Sequence, residues 1–209
     1  RTERMFNDVD RLPIFQKMIL SNNEEERKSA IEKLMPLQKK DFVEIFDVMR
    51  GLPVTIRLLD PPLHEFLPSI EQLMVDINEL REQGKDVTEK RKILSKVKTL
   101  YEVNPMLGHR GVRLGITIPE LYDMQINAIL EAACEVKKKN IDVKPEIMIP
   151  QVSMASELKV VRERLELISK KVFSKYQQKI DYKFGTNMEV VRGCLTAEQI
   201  VKYAEFFSF

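Results

Sequence analysis

The chain has 209 residues, with 34 basic and 32 acidic side chains and a formal net charge of +2. Such balance, with basic residues scattered among acids, argues against nucleic-acid binding, and no apolar run reaches the roughly 18 residues that suggest a membrane span. The two cysteines, Cys134 and Cys194, lack a CxxC spacing. We therefore expect reduced, mostly buried thiols in an intracellular protein of one domain.

The N-terminal part is predicted to be helical from Leu12 to Arg50. Asn23 is suited to cap a helix whose first turn is acidic. Pro36 is expected to break or kink that helix, and Gly51 to end it. The apolar run Pro53–Leu59 then has the length and composition of a strand.

Two amphipathic helices follow, over Ser69–Gln83 and Thr88–Tyr101. Ser69 with Gln72 fits a capping box at the start of the first. We interpret the pair as a helical insertion over about residues 69–101.

The glycine-rich segment Asn104–Thr117 is predicted to be turn-like, and Pro119 suits the first position of a long helix that ends near Asn140. Strands and helices then alternate to the end of the chain. The predicted strands are Glu146–Val152, Tyr182–Val191 and Phe206–Phe209. The predicted helices are Glu157–Tyr176 and a short helix that ends near Ala204. A capping box of Thr196 and Gln199 is expected to begin the short helix.

A strand followed by a helix recurs at least three times, and the strands are mostly apolar, which predicts an α/β fold with a parallel sheet. An open doubly wound sheet and a (β/α)8 barrel both fit. Neither GxGxxG nor GxxxxGK[ST] occurs, which weakens a nucleotide-binding version of the first. In a barrel, polar residues at the carboxyl ends of strands build the site; here these are Arg57, Asp60 and Glu189, with Arg110 from the glycine-rich turn.

Arg57 is the leading candidate for an anion ligand. It ends a run of Val, Ile and Leu, where a cation is costly to bury unless an anion meets it. Its planar guanidinium is suited to phosphate or carboxylate, although pairing with Asp60 alone would also account for it. Arg110 lies in GHRG, whose glycines permit close backbone approach to a ligand; a solvent-exposed loop arginine is the alternative.

The remaining candidates carry weaker signals. Glu189 is a candidate Mg²⁺ ligand, because this ion takes one or two protein carboxylates together with substrate oxygens and water. A salt bridge from Glu189 to an arginine would explain it equally well. We expect His64 and His109 to be hydrogen-bonded structural residues rather than proton carriers.

These residues lie in motifs that resemble the C-terminal phosphoenolpyruvate/pyruvate-binding barrel of the pyruvate, phosphate dikinase family. The motifs occur in the family's order: RTERMF at 1–6, GLPVTIRLLDPPLHEFLP at 51–68, NPMLGHRGVRLGIT at 104–117, PEIMIP at 145–150, GTNMEV at 185–190 and AEFFSF at 204–209. The resemblance implies an incomplete TIM-type (β/α)8 barrel over residues 1–209 with helical insertions. It also implies the interconversion of ATP, phosphate and pyruvate with AMP, diphosphate and phosphoenolpyruvate (PEP).

The resemblance further assigns roles to single residues. Arg1, Arg57 and Arg110 would bind the phosphoryl and carboxylate oxygens of PEP, Asp60 would orient the arginines, and Glu189 would be one of two Mg²⁺ ligands at the substrate. The partners implied are PEP or pyruvate, the phosphohistidine and ATP-binding domains of a full chain, and a second copy in a homodimer. A cytoplasmic location is expected, with plastids and parasite organelles also in keeping with the family.

The chain begins with Arg1 and ends in an apolar strand, so we expect a fragment of a longer polypeptide. In the family, the second Mg²⁺ ligand and the cysteine that protonates the enolate follow this last strand, and the carrier histidine lies on another domain. We therefore expect no turnover by this chain alone. Two alternatives remain: an inactive barrel that serves as an assembly module, and a PEP synthase or enzyme I-type phosphotransferase.

Overall fold

The computed structural model describes residues 1–21 and 23–209. Four parallel strands form one sheet in the order β1-β2-β3-β4, so each strand pairs with the next along the chain. The sheet curls as half a barrel does, and it confirms the predicted α/β class. The strands are β1 (Pro53–Arg57), β2 (Lys144–Ile149), β3 (Lys183–Asn187) and β4 (Phe207–Ser208).

The two faces of this sheet differ in polarity. Side chains alternate along a strand, so Ile56, Ile147 and Phe184 enter the apolar core that the sheet shares with the helices. The other face lines an open cleft and carries Thr55, Arg57, Glu146, Met148, Asn187 and Ser208. The arginine at the end of β1 therefore lies on the polar, open face.

The helices are α1 (Leu12–Leu20), α2 (Glu24–Val48), α3 (Ile70–Glu82), α4 (Thr88–Leu100), α5 (Val112–Thr117), α6 (Pro119–Lys137), α7 (Ala155–Tyr176), α8 (Val191–Leu195) and α9 (Ala197–Ile200). Short 3-10 helices cover Glu3–Phe6, Leu63–Phe66, Pro105–Leu107 and Val201–Tyr203. Helix α6 packs against α2 and α7 and contacts β2. It is therefore buried along most of its length, with Pro119 in its first turn as predicted.

Helix α2 confirms one prediction and corrects another. The Asn23 side chain accepts a hydrogen bond from the Glu26 amide at 2.8 Å, as a cap should. Pro36 does not break the helix, which continues to Val48. Burial of Leu34 and Phe42 in the core offsets the backbone hydrogen bond that a proline removes.

Of the two predicted capping boxes, the first forms only in part and the second does not form. Ser69 Oγ accepts a hydrogen bond from the Gln72 amide at 3.1 Å, but the Gln72 side chain bonds to Asp76 instead of returning to the cap. Thr196 makes no side-chain cap bond at all. Its hydroxyl donates instead to the Arg192 carbonyl one turn back in α8, so the predicted second box is wrong.

Three further predictions need correction. The segment 104–117 is not turn throughout, because its last six residues form α5. Strand β3 ends at Asn187, which places Glu189 in the loop beyond it and Val191 at the start of α8. Both cysteines are free, but only Cys134 is buried, since Cys194 lies on the exposed side of α8. In the part of the chain that the structure describes, no helix has the length and apolarity to cross a bilayer.

Candidate functional site

One buried carboxylate joins two of the predicted arginines. Asp60 follows β1 and is 1% exposed. Its Oδ2 accepts a hydrogen bond from Arg110 Nη2 at 2.8 Å and its Oδ1 accepts from Arg110 Nε at 3.1 Å. The same Oδ2 lies 3.5 Å from Arg57 Nη2. The two arginines, from motifs far apart in the chain, therefore meet at one place, and Asp60 contacts both.

Arg57 has a second carboxylate partner that sequence reasoning missed. Its Nη2 donates to Glu3 Oε1 at 3.1 Å. Its Nε is buried and makes no hydrogen bond within residues 1–21 and 23–209. A charged donor without a partner is costly in a buried position. The Arg57 guanidinium, only 9% exposed, thus keeps donor capacity that the protein itself does not satisfy.

The loop that carries Arg110 is fastened to the ends of β1 and β2. The Gly111 amide donates to the Asp60 carbonyl at 3.3 Å, and the Val112 amide donates to the Pro150 carbonyl at 3.0 Å. Gly111 has φ +58°, and a Cβ there would lie 2.7 Å from the Cβ of Gln151. Glycine is therefore required for the close approach of this loop to Gln151.

The electrostatics around Arg110 favour its charged form. Burial opposes the charge, but the hydrogen bonds and charge of Asp60, together with the charges of Glu189 and Glu65, raise the pKa of Arg110 above its ordinary value. The guanidinium is therefore a permanent cation at the carboxyl ends of β1 and β2.

Arg1 lies in the same cleft as Arg57. It is exposed, and it lines an open cleft of about 580 Å³ with Arg57, Met148 and Asn187. Arg110 and Glu189 do not line this cleft. The predicted residues thus form two groups, Arg1 with Arg57 and Arg110 with Glu189, which the Arg57–Asp60–Arg110 contacts connect.

Glu189 lies in the exposed loop after β3. Its Oε1 accepts a hydrogen bond from the backbone amide of Gln151 at 2.9 Å, and Gln151 has the positive φ of +62°. Glu189 forms no ion pair with an arginine in the described part of the chain, so the direct salt bridge considered as an alternative is not observed. Its charge nevertheless acts on Arg110.

The residues present fit a partial Mg²⁺ site. Among the described residues, no group of three or more His, Cys, Asp or Glu side chains could hold a metal ion. Glu189 offers one carboxylate oxygen that accepts no hydrogen bond from the described chain. One carboxylate is within the share that Mg²⁺ takes from a protein when substrate oxygens and water complete its shell.

The two histidines lie outside these contacts. The His64 ring is 5.2 Å from the ring of Tyr101, and His109 Nε2 lies 2.5 Å from Thr117 Oγ1. Neither ring is hydrogen-bonded to Arg57, Asp60 or Arg110 in the described structure. His109 is hydrogen-bonded as expected. The buried His64 Nδ1 has no hydrogen-bond partner in the described part of the chain, so the hydrogen bond expected for His64 is not observed at this atom.

Sequence reasoning also missed two residues of α6 that bind the backbone beside Asp60. Tyr122 Oη donates to the Leu59 carbonyl at 2.9 Å, and Gln125 Oε1 accepts from the Leu59 amide at 2.9 Å. Burial, with the charges of Asp60 and Glu3, raises the pKa of Tyr122 well above its ordinary value, so the hydroxyl stays a donor. The sequence carries no clear signal for them, because α6 has other polar residues besides Tyr122 and Gln125.

Comparison with known proteins identifies a family and several relatives that match the whole chain. The family described as PEP-utilising enzyme, PEP-binding domain, matches the chain over residues 1–209. A pyruvate, phosphate dikinase of Entamoeba histolytica is 56% identical over 212 residues, covering 100% of this chain and 24% of that protein. The pyruvate, phosphate dikinase of Giardia intestinalis is 46% identical, with 100% of this chain and 23% of that protein covered.

A plant protein is similar to this chain to about the same extent. Pyruvate, phosphate dikinase 1, chloroplastic, of Arabidopsis thaliana is 46% identical over 209 residues, covering 100% of this chain and 21% of that protein. The chain thus spans about a quarter of the length of the curated relatives that it matches.

Proposed function

The chain belongs to the PEP-utilising enzymes through their PEP-binding domain, and from this membership we propose that it forms the PEP/pyruvate-binding part of a pyruvate, phosphate dikinase. The reaction proposed for the whole protein interconverts ATP, phosphate and pyruvate with AMP, diphosphate and PEP. We further propose that the four-stranded sheet is part of a TIM-type (β/α)8 barrel, whose active sites lie at the carboxyl ends of the strands.

The observation that carries this proposal is the incomplete satisfaction of Arg57. A buried guanidinium with an unpaired Nε, beside an exposed second arginine in one cleft, is arranged to receive an anion. PEP carries a carboxylate and a phosphate, so it can engage both Arg1 and Arg57. Arg110, held by Asp60, adds positive charge behind Arg57.

The chemistry asked of these residues is mainly electrostatic. Phosphoryl transfer spreads charge over equatorial oxygens, and catalysis consists largely of positioning and stabilising that charge. Arg1 and Arg57 bind and orient the substrate oxygens in the cleft, and Arg110 adds positive charge behind Arg57. Asp60 keeps Arg57 and Arg110 in place. Glu189 would hold Mg²⁺, which when bound supplies positive charge to the enolate oxygen of pyruvate.

The other partners belong to the same proposal. A protein of the length of the relatives has room for the phosphohistidine and ATP-binding domains, and we propose that this barrel also pairs with a second copy. We propose a cytoplasmic location, while three similar proteins are named chloroplastic. The names of the relatives favour the dikinase over a synthase, an enzyme I-type protein or an inactive module. The 209-residue chain alone is expected to bind PEP without turning it over.

Calorimetric titration with PEP tests the proposal, comparing the unchanged chain with Arg57→Met. Hydrogen bonds to charged groups contribute about 1.5–3 kcal/mol, so the variant should bind PEP roughly 10- to 100-fold more weakly. Arg162→Met is the matched control, because among the residues that the structure describes Arg162 bonds to Glu166 and the Tyr203 carbonyl, and it does not line the cleft. Equal affinity of Arg57→Met and the unchanged chain would remove Arg57 from the site.

A further inference from the structure

The backbone of Leu59 is held entirely by side chains of α6. Its amide donates to Gln125 Oε1 and its carbonyl accepts from Tyr122 Oη, each at 2.9 Å. Leu59 directly precedes Asp60, whose carboxylate binds both arginines. The position of that carboxylate is therefore fixed from the helical layer as well as from β1.

Gln125 also holds the segment that carries Arg1. Its Nε2 donates to Thr2 Oγ1 at 3.1 Å. Thr2 is 1% exposed and lies between Arg1 and Glu3. One buried carboxamide thus connects the N-terminal motif with the segment that follows β1, and each of these segments brings a carboxylate to Arg57 Nη2.

We propose that Gln125 is a positioning residue for the PEP site, which sets the distance between the Arg1–Glu3 segment and the Arg57–Asp60 segment. This inference rests on the proposed function. Gln125 is fully buried and surrounded on α6 by Leu121, Ile126 and Ile129, where an apolar residue would serve packing equally well. Its amide instead uses both of its polar ends to join the two charged segments. Tyr122 supports the same strand end from one turn earlier.

Loss of this bridge leaves two buried polar groups unpaired. In Gln125→Met the side-chain volume is nearly kept, but the Leu59 amide and the Thr2 hydroxyl lose their partner. Without the Gln125 bridge, the Arg1–Glu3 and Arg57–Asp60 segments are no longer held at a fixed distance from each other. A displacement of about 1 Å can reduce the effectiveness of an oriented site by orders of magnitude, so binding of a dianionic ligand between the segments should weaken.

The test measures PEP affinity and unfolding free energy in the full-length protein. We expect Gln125→Met to weaken PEP binding by at least about tenfold, with the free energy of unfolding lowered as well. Gln38→Met is the control, since Gln38 is 1% exposed and, within residues 1–21 and 23–209, its amide bonds to Met5 Sδ alone, at 3.8 Å. Gln38→Met should leave PEP affinity unchanged.

A second pair of variants separates positioning from stability. Thr2→Val cuts only the bond to the N-terminal segment and should weaken PEP binding, whereas Thr2→Ser keeps the hydroxyl and should restore it. The pair decides the question if Gln125→Met does not fold. PEP affinity of Thr2→Val equal to that of the unchanged protein would overturn the inference. Absence of PEP binding by the unchanged protein would overturn the proposed function instead.

Discussion

Two buried charged clusters in this molecule differ in how fully their polar groups are paired. On the helical layer, Glu131 accepts hydrogen bonds from Lys39 at 3.0 Å, Lys175 at 2.7 Å and Tyr176 Oη at 3.0 Å. These contacts join α2, α6 and α7. At the carboxyl end of β1, Arg57 has two carboxylate neighbours but retains an unpaired, buried Nε. Both clusters bury charge. The unpaired Nε of Arg57 distinguishes the cluster at the end of β1 as the one suited to a ligand.

The largest expected effect comes from removing the carboxylate that two arginines share. In Asp60→Asn, Arg110 and Arg57 lose their buried counter-charge, and we expect the free energy of unfolding to fall by about 3–5 kcal/mol. Urea denaturation measures it. The matched control is Asp123→Asn, because Asp123 also pairs with an arginine, Arg164, but its side chain is 28% exposed.

The control should lose no more than about 1 kcal/mol, as exposed ion pairs do. PEP affinity should be lower in Asp60→Asn than in the unchanged chain, and it should be unchanged in Asp123→Asn. Equal losses of stability in both variants would show that burial does not set the importance of the Asp60 contacts.

An intermediate effect is expected for Glu131→Gln. Removing the charge that two lysines and a tyrosine bind should lower the free energy of unfolding by about 1–3 kcal/mol at neutral pH. PEP affinity should not change, because none of these residues lies in the cleft or contacts the arginines. A weaker PEP affinity in this variant would remove the distinction between the two clusters.

The pH dependence of that loss follows from the pKa of Glu131. Burial raises this pKa, but the bonds from Lys175, Lys39 and Tyr176 outweigh burial and lower it. A lowered folded-state pKa gives stability that is present above the unfolded value of about 4.3 and is lost as the pH falls toward the folded value. The stability difference between Glu131→Gln and the unchanged chain should therefore shrink when urea denaturation is repeated on acidification below about pH 4.3.

The smallest effect concerns the proposed metal ligand. Glu189→Gln should abolish the gain in PEP affinity that Mg²⁺ produces, while affinity in the presence of a chelator should stay nearly unchanged. Calorimetry with and without Mg²⁺ measures both values. Glu198→Gln, on exposed α9, is the control and should keep the gain. A Mg²⁺ effect that survives in Glu189→Gln would exclude this carboxylate as a ligand.

The sequence was most informative where a residue conflicted with its surroundings. Arg57 at the end of an apolar strand and Arg110 between glycines were both identified for that reason. Glu3 was missed because its partner Arg57 lies 54 residues away, and no local pattern indicates such a contact. Gln125 was missed because its partners are a backbone amide, which nearly every residue offers, and the hydroxyl of Thr2, which is distant in the sequence.

The fold class could be predicted because alternating strands and helices have distinct periodicities. Errors arose where tertiary packing outweighs local preference. Helix α2 continues through Pro36 because its apolar face is buried against α6. The Thr196 hydroxyl bonds to a carbonyl of the preceding helix, a choice that spacing alone does not reveal.

One face of the sheet packs in the apolar core and the other lines the cleft, and this separation has a consequence for protein redesign. Substitutions at Thr55, Glu146, Met148 or Asn187 change the lining of the cleft, while Ile56, Ile147 and Phe184 continue to hold the strands against the helices. Ligand preference and thermodynamic robustness can therefore be varied nearly independently in directed evolution. Libraries restricted to the open face should keep a high proportion of folded members, whereas libraries that include the opposite positions should not.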